Sequence, residues 1–344
     1  MPLFIAALAV LSIYRYSTVP QREVVVLQGR SMGTTWSVKI AVADLPRSAQ
    51  EKIAKAVETR LNEVDQRMST WKPDSELSRF NRAPEGHPFR VSTITLQVFE
   101  LAQQVSEQSH GAFDVTVGPA VDAWGFGPQA RDAPAPSLEA SLALRRHMGF
   151  QHLRVDTTQS SLEKLIPGMS CDLSAIAKGF AVDQVAEELS RRGQNDFLVE
   201  LGGELRASGR HLDGSAWRVG VERPDPGRRL VHQIIELEDL AMATSGDYRN
   251  FREIDGRRVS HTIDPRTARP IEHPLASVTV VDRTAAEADA WATALNVLGA
   301  KAGYALAIER DMRALFIVHD AQGFRSFTTP RFEPLLASEV AEPE

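Results

Sequence analysis

Only one cysteine, Cys171, occurs among the 344 residues. A lone thiol cannot build an internal disulfide framework or a multi-thiolate metal centre, and it tolerates either redox environment. Basic residues are also in deficit. Thirty-nine Lys and Arg face 45 Asp and Glu, a net charge of −6, which argues against a nucleic-acid binder that works by neutralising phosphates. No repeat or low-complexity block stands out, and 43% hydrophobic with 24% charged residues excludes intrinsic disorder, collagen and a coiled coil. The apolar run Pro2–Tyr14 spans 13 residues, short of the roughly 20 of a membrane-spanning helix and close to a signal h-region. No Lys or Arg precedes it, and no small-x-small cleavage site or lipobox cysteine follows. We read 1–22 as a signal peptide or N-terminal membrane anchor, the alternative being a buried strand or helix. Export would place the body outside the cytoplasm, tethered or released.

The body that follows, 23–335, reads as one globular unit with two subdomains around a cleft, ahead of a flexible tail, 336–344. Glu23–Gln28 and Thr35–Val42 are strand-like and flank a turn at Gly29–Gly33. Ser48 with Glu51 predicts a capping box for a helix carrying Ile53, Val57, Leu61 and Val64 on one face. A second helix is expected over Ile94–Glu107. Trp71–Arg90 between them is polar and broken by Pro and Gly, and reads as loop. Arg131–Pro136 is the candidate internal linker. A helical pattern begins at Ser174 and closes at Gly193. Strands are expected at Phe197–Leu201, Trp217–Val221, Val231–Leu237 and Ala276–Val281. Thr284 and Glu287 form a second capping box, opening a helix to Gly299. A hairpin of Ala314–His319 with Arg325–Thr328 follows. Strands and helices mix without strict alternation, which gives an α+β class.

Four constellations could carry chemistry. Asp289 and Thr293 lie four residues apart in EADAWATAL, so on a helix their oxygens share a face, a hard-oxygen pair suited to Mg²⁺ or Ca²⁺. Such pairs also arise by chance. Asp172–Gly179 (DLSAIAKG) places small residues at a helix entrance and a cation at Lys178, as a phosphate would require, although the P-loop spacing is missing. An ordinary amphipathic helix with a solvated lysine has the same pattern. His261 in SHTIDPRT has Asp264 near it and is a candidate proton acceptor, or a structural histidine. GAFDVTVGP, with Asp114, and the following WGFGP could line a slot for a flat ring, or place core aromatics beside turns. LGGEL and ATSGDY read as turn-forming clusters.

As an ordered set these segments resemble the FAD:protein FMN transferase (ApbE) family. The resemblance runs through SMGTT at Ser31, MSTWKPDSEL at Met68, GAFDVTVGP, DLSAIAKGFAVD, LGGEL, ATSGDY, SHTIDPRT and EADAWATAL, and it spans roughly Gly29–Val318. It implies an α+β fold with a flavin-binding cleft. The implied reaction is Mg²⁺-dependent transfer of FMN from FAD to a threonine hydroxyl of an acceptor protein, with release of AMP. The family's metal ligands match Asp289, Thr293 and the carbonyl of Ala175. Its flavin-binding positions match Met32, Trp71, Ala112, Phe113, Asp114, Asp172, Lys178 and Ile263. His261 matches the general base. Tyrosine often stands where this chain has Trp71, and glycine where it has Ser174. The implied location is periplasmic, with the N-terminal segment as a tether to the inner membrane. No Asp-x-x-Thr-x-Ala-Thr segment occurs in the chain, so the acceptor is another protein, such as a redox-pump or electron-transfer subunit. Two other readings use the same groups: an FAD pyrophosphatase giving FMN and AMP, and a flavin-binding protein without turnover.

Overall fold

A computed structural model describes residues 23–128, 134–225, 227–228, 230–246, 251–254, 256–321 and 323–337. The leader, 131–133 of the expected linker, 247–248 of ATSGDY and the last seven residues lie outside them. In chain order the first strands are β1 (Glu23–Ser31), β2 (Thr34–Val42), β3 (Phe89–Arg90), β4 (Leu153–Asp156), β5 (Ser161–Lys164) and β6 (Phe197–Leu201). Next come β7 (Glu204–Ser208), β8 (Trp217–Glu222), β9 (Val231–Leu237), β10 (Ala241–Gly246), β11 (Phe251–Ile254) and β12 (Arg257–Ser260). The last are β13 (Ile263–Asp264), β14 (Arg269–Pro270), β15 (Leu275–Asp282), β16 (Arg313–Asp320) and β17 (Gly323–Thr328). The helices are α1 (Arg47–Met68), α2 (Glu76–Arg82), α3 (Thr93–Gln108), α4 (Gly118–Ala123), α5 (Leu138–Leu144), α6 (Ala177–Arg191) and α7 (Ala285–Glu309).

Eight strands form one antiparallel sheet in the order β1-β2-β6-β7-β10-β15-β16-β17. The β1–β2 hairpin closes at Met32-Gly33, whose φ values of 49° and 74° are the left-handed pair that a two-residue turn between twisted strands needs. Period-two side chains send Val38, Ile40, Val199, Val278 and Phe316 to one face, where α1, α6 and α7 cover them. The opposite face carries Leu205, Ala207, Val281 and Ile317 and is covered by the β8–β9 hairpin through Trp217, Val219, Ile235 and Leu237. A second lobe of α2, α3 and the small sheet β3-β5-β4 adds Phe80, Phe99 and Leu162 to the helix-side core, which runs unbroken through both lobes. The mixed α+β class is as expected.

Several boundaries differ from the sequence reading. The Ser48–Glu51 box does not form. α1 starts one residue earlier, the Pro46 carbonyl accepts the N–H groups of Ala49 (2.8 Å) and Gln50 (3.1 Å), and Glu51 is drawn to Arg47 at 3.2 Å instead. Trp71–Arg90 is not all loop. Ser75 caps α2 by accepting the Ser78 N–H at 2.9 Å, and the burial of Leu77 and Phe80 stabilises a helix too short to form alone. α6 begins at Ala177, three residues after Ser174. Thr284 does cap α7 by accepting the Glu287 N–H, with the Glu287 carboxylate meeting the Thr284 hydroxyl rather than its N–H, and the first stretch of α7 ends at a kink at Gly299, after which helical bonding resumes to Glu309. At the far end, Leu336 bridges to Ile235 and the Ala337 N–H donates to the Ile234 carbonyl at 3.1 Å.

Candidate active site

The N-termini of α6 and α7 meet under the sheet. Their contact requires Gly179, because a Cβ there would sit 2.2 Å from the Ala285 carbonyl oxygen. The first N–H groups of any helix lack partners within it, and here each helix caps the other. Asp183 of α6 accepts the N–H groups of Ala285 and Ala286 of α7, both at 2.9 Å. Asp289 of α7 accepts the Gly179 N–H of α6 through Oδ2 at 3.1 Å. Arg206 of β7 completes the first cap by donating to Asp183 at 2.8 Å. Two positive helix ends therefore converge on one point.

Among the described residues, that reciprocal capping leaves three oxygens without protein donors. In a regular helix the Gly179 N–H would bond the Ala175 carbonyl; here it goes to Asp289, and no described residue donates to the Ala175 oxygen. Asp289 Oδ1 accepts nothing. The Thr293 hydroxyl, one turn along α7, makes no hydrogen bond, although a mid-helix threonine can bond back to the carbonyl four residues before it. Carboxylate, hydroxyl and carbonyl form a hard-oxygen donor set. Among the described residues no group of three His, Cys, Asp or Glu could hold a metal, so a cation here would draw its remaining ligands from a substrate or water. The donor set suits a divalent ion shared with an anionic ligand.

Lys178 lies in the field of Asp289 and pairs with Glu204, the first residue of β7. Burial opposes the charge on Lys178, but Glu204 and Asp289 outweigh it and raise its pKa above the usual lysine value. Burial pushes the Glu204 carboxyl up to about 7, aided by Asp289 and opposed by Lys178. Asp289 is also raised by burial, against the pull of Lys178 and the Gly179 N–H.

Most of the remaining expected residues line two cavities that share Asp172. The larger, about 410 Å³, is lined by Trp71, Asn81, Arg82, Cys171 and Asp172 among others, a size suited to a small-molecule ligand. The smaller, about 30 Å³, is lined by Ala112, Phe113, Asp114, Asp172, Ala175, Ile263 and Thr293. Asp172 borders both. Ala112 and Phe113 are buried. Asp114 is held by the protein itself: it accepts from the Thr116 N–H and hydroxyl, both at 2.7 Å, and from the Phe150 N–H at 2.8 Å, and burial raises its pKa. Asp172 Oδ1 accepts the Ser174 N–H at 2.8 Å and the Ser174 hydroxyl. Trp71 is half exposed at the rim of the larger cavity. Met32 sits in the β1–β2 turn, and His261 lies two residues before Ile263 with its ring edge-on to Phe126 at 6.4 Å; neither is among the lining residues.

Three functional side chains escaped the sequence reading. Asp183 and Glu204 stood inside quoted segments, but their partners are distant in sequence. Asn81 lay in the run read as loop, yet its amide holds both the N–H and the C=O of Cys171 at 2.8 Å each and so fixes the segment that carries Asp172.

The fold is that of an α+β protein whose paired helix ends present hard-oxygen donors and a lysine; Ala175 and Thr293 line the smaller cavity, whereas Asp289 and Lys178 are not among the lining residues of either. The chain belongs to the ApbE family, whose sequence profile matches residues 32–316. A relative from Vibrio cholerae serotype O1, an FAD:protein FMN transferase, is 44% identical over 316 residues, 92% of this chain and 93% of its own. The solved structure of flavin transferase ApbE from Vibrio cholerae superposes with a TM-score of 0.83 at 43% identity, covering 92% of this chain and 100% of the other. That of Pseudomonas stutzeri flavinyl transferase ApbE, apo form, gives 0.83 at 41%, covering 93% and 99%.

Proposed function

We propose that this chain is an FAD:protein FMN transferase that moves FMN from FAD to a threonine hydroxyl of an acceptor protein and releases AMP. The observation that carries this reading is the set of three undonated oxygens, on Asp289, Thr293 and Ala175, beside Lys178 where the two helix ends meet. Family membership supports the reaction class, and the donor set supports binding of the diphosphate there.

Asp289, Thr293 and the Ala175 carbonyl would hold Mg²⁺, which when bound neutralises charge on the phosphate and on departing AMP. Lys178 and the α6 N-terminus face the diphosphate and offset its charge. Trp71 and the Phe113–Asp114 segment bind the flavin half, with Asp172 joining the two cavities and Met32 and Ile263 completing the flavin contacts. His261 takes the proton from the acceptor threonine Oγ. The Oγ–P bond then forms at the FMN-side phosphorus as the P–O bond to AMP breaks, and AMP leaves with the bridging oxygen. We place this body in the periplasm, tethered to the inner membrane by the 1–22 segment or released from it; the apolar run Pro2–Tyr14 supports this.

Incubation with FAD, Mg²⁺ and a threonine-bearing acceptor protein should yield AMP and covalent flavin in equal amounts. Equal rates of AMP and free FMN formation with and without acceptor would establish hydrolysis instead.

A further inference from the structure

We propose that Glu204 is a positioning residue: it holds the Lys178 ammonium away from Asp289 and so keeps one Asp289 oxygen open to a divalent cation. This rests on the reading of Asp289, Thr293 and Ala175 as a cation site.

The first observation is the pattern of β7. Its alternate residues Leu205 and Ala207 enter the core under the β8–β9 hairpin, while Glu204 and Arg206 point to the helical layer. A strand covered by helices ordinarily presents apolar side chains there. Both exceptions are engaged at the helix crossing, Arg206 with Asp183 and Glu204 with Lys178. The Gly202-Gly203 turn, with φ of 64° and 111°, places Glu204 at the start of the strand, opposite Leu201.

The second is the condition of Glu204 itself. It is 3% exposed, and Oε2 has no hydrogen-bond partner. A buried carboxylate with an orphan oxygen is a poor choice for stability alone, since an apolar pair in place of such an ion pair is often at least as stable.

The third is how Lys178 divides its attention. It lies in the field of three carboxylates, Glu204, Asp289 and, most weakly, Glu200, yet among the described residues it hydrogen-bonds only Glu204. Asp289 spends Oδ2 on Gly179 and leaves Oδ1 free. Without the Glu204 charge, the stronger remaining attraction is that of Asp289, ahead of Glu200, and it draws the ammonium onto Asp289, turning a ligand into half of an ion pair.

Mn²⁺ binding, read by EPR as loss of the free-ion signal with FAD present and no acceptor, tests this without turnover. Glu204→Gln should weaken Mn²⁺ binding about tenfold, in the range for residues that orient a ligand. Adding Lys178→Met removes the ammonium, so the Lys178→Met/Glu204→Gln double variant should recover to within about twofold of the parent, though transfer stays slow without Lys178. Glu204→Asp, which keeps the charge on a shorter arm, should fall between and serves if Glu204→Gln does not fold. Parent-like Mn²⁺ binding by Glu204→Gln, or a double variant no better than the single, overturns this inference alone. A parent protein that binds no Mn²⁺ overturns the cation-site reading with it.

Discussion

His261 and Cys171 show how the surroundings of one residue decide its chemistry. His261 follows β12 and precedes Ile263, a residue of the cleft wall. If it acts as the proposed base toward the acceptor hydroxyl, it should matter to turnover and not to flavin binding. We expect His261→Ala to lower kcat by about 10²- to 10⁴-fold while flavin-fluorescence titration gives an unchanged Kd for FAD. Loss of binding instead would make His261 a structural post. Cys171 borders the larger cavity but is buried, and burial holds its thiol far above the ordinary cysteine range. Iodoacetamide at pH 8 should leave it unmodified in the folded protein and alkylate it in urea, as read by intact mass. Asp289 and Thr293 were legible in the sequence because one helical turn fixes their relation. Asp183, Glu204 and Asn81 were not, because each acts on a residue that only the fold brings near.

At the scale of elements, the crossing of α6 and α7 is the device that frees the site's oxygens. Gly179→Ala puts a methyl group against the Ala285 carbonyl, so the helices must separate and Asp289 must lose its Gly179 contact. Urea unfolding should show a loss of about 1–3 kcal/mol, with weaker FAD binding; unchanged stability would mean that the two helices are not locked together. Thr284→Ala removes a cap that accepts the Glu287 N–H at 3.2 Å and should cost about 1 kcal/mol, seen in the same assay. That cap was legible because its residues meet within one turn at a real helix start. The Ser48–Glu51 spacing was identical but fell inside a helix already begun after Pro46, where Ser48 has no terminus to cap. α2 was hidden because its stability comes from Leu77 and Phe80 packing on the second lobe rather than from its own seven residues.

At the scale of the whole molecule, two cores on opposite faces of one sheet make a rigid plate, and the cleft lies where the helical layer meets the second lobe. The α+β class followed from the irregular mixture of strand and helix patterns. The strand order did not, because β2 pairs with β6 across more than 150 residues, a separation on which local patterns are silent. Flavin transferases share this fold over most of the chain, which supports the proposal that the plate positions a dinucleotide near the two helix ends.

The most direct measurement is the intact mass of a threonine-bearing acceptor co-expressed with this protein or with its Asp289→Ala variant. We expect the added mass of one FMN with the parent protein and none with the variant. Equal flavinylation by both would contradict the assignment of Asp289 to the reaction, and with it the site proposed here.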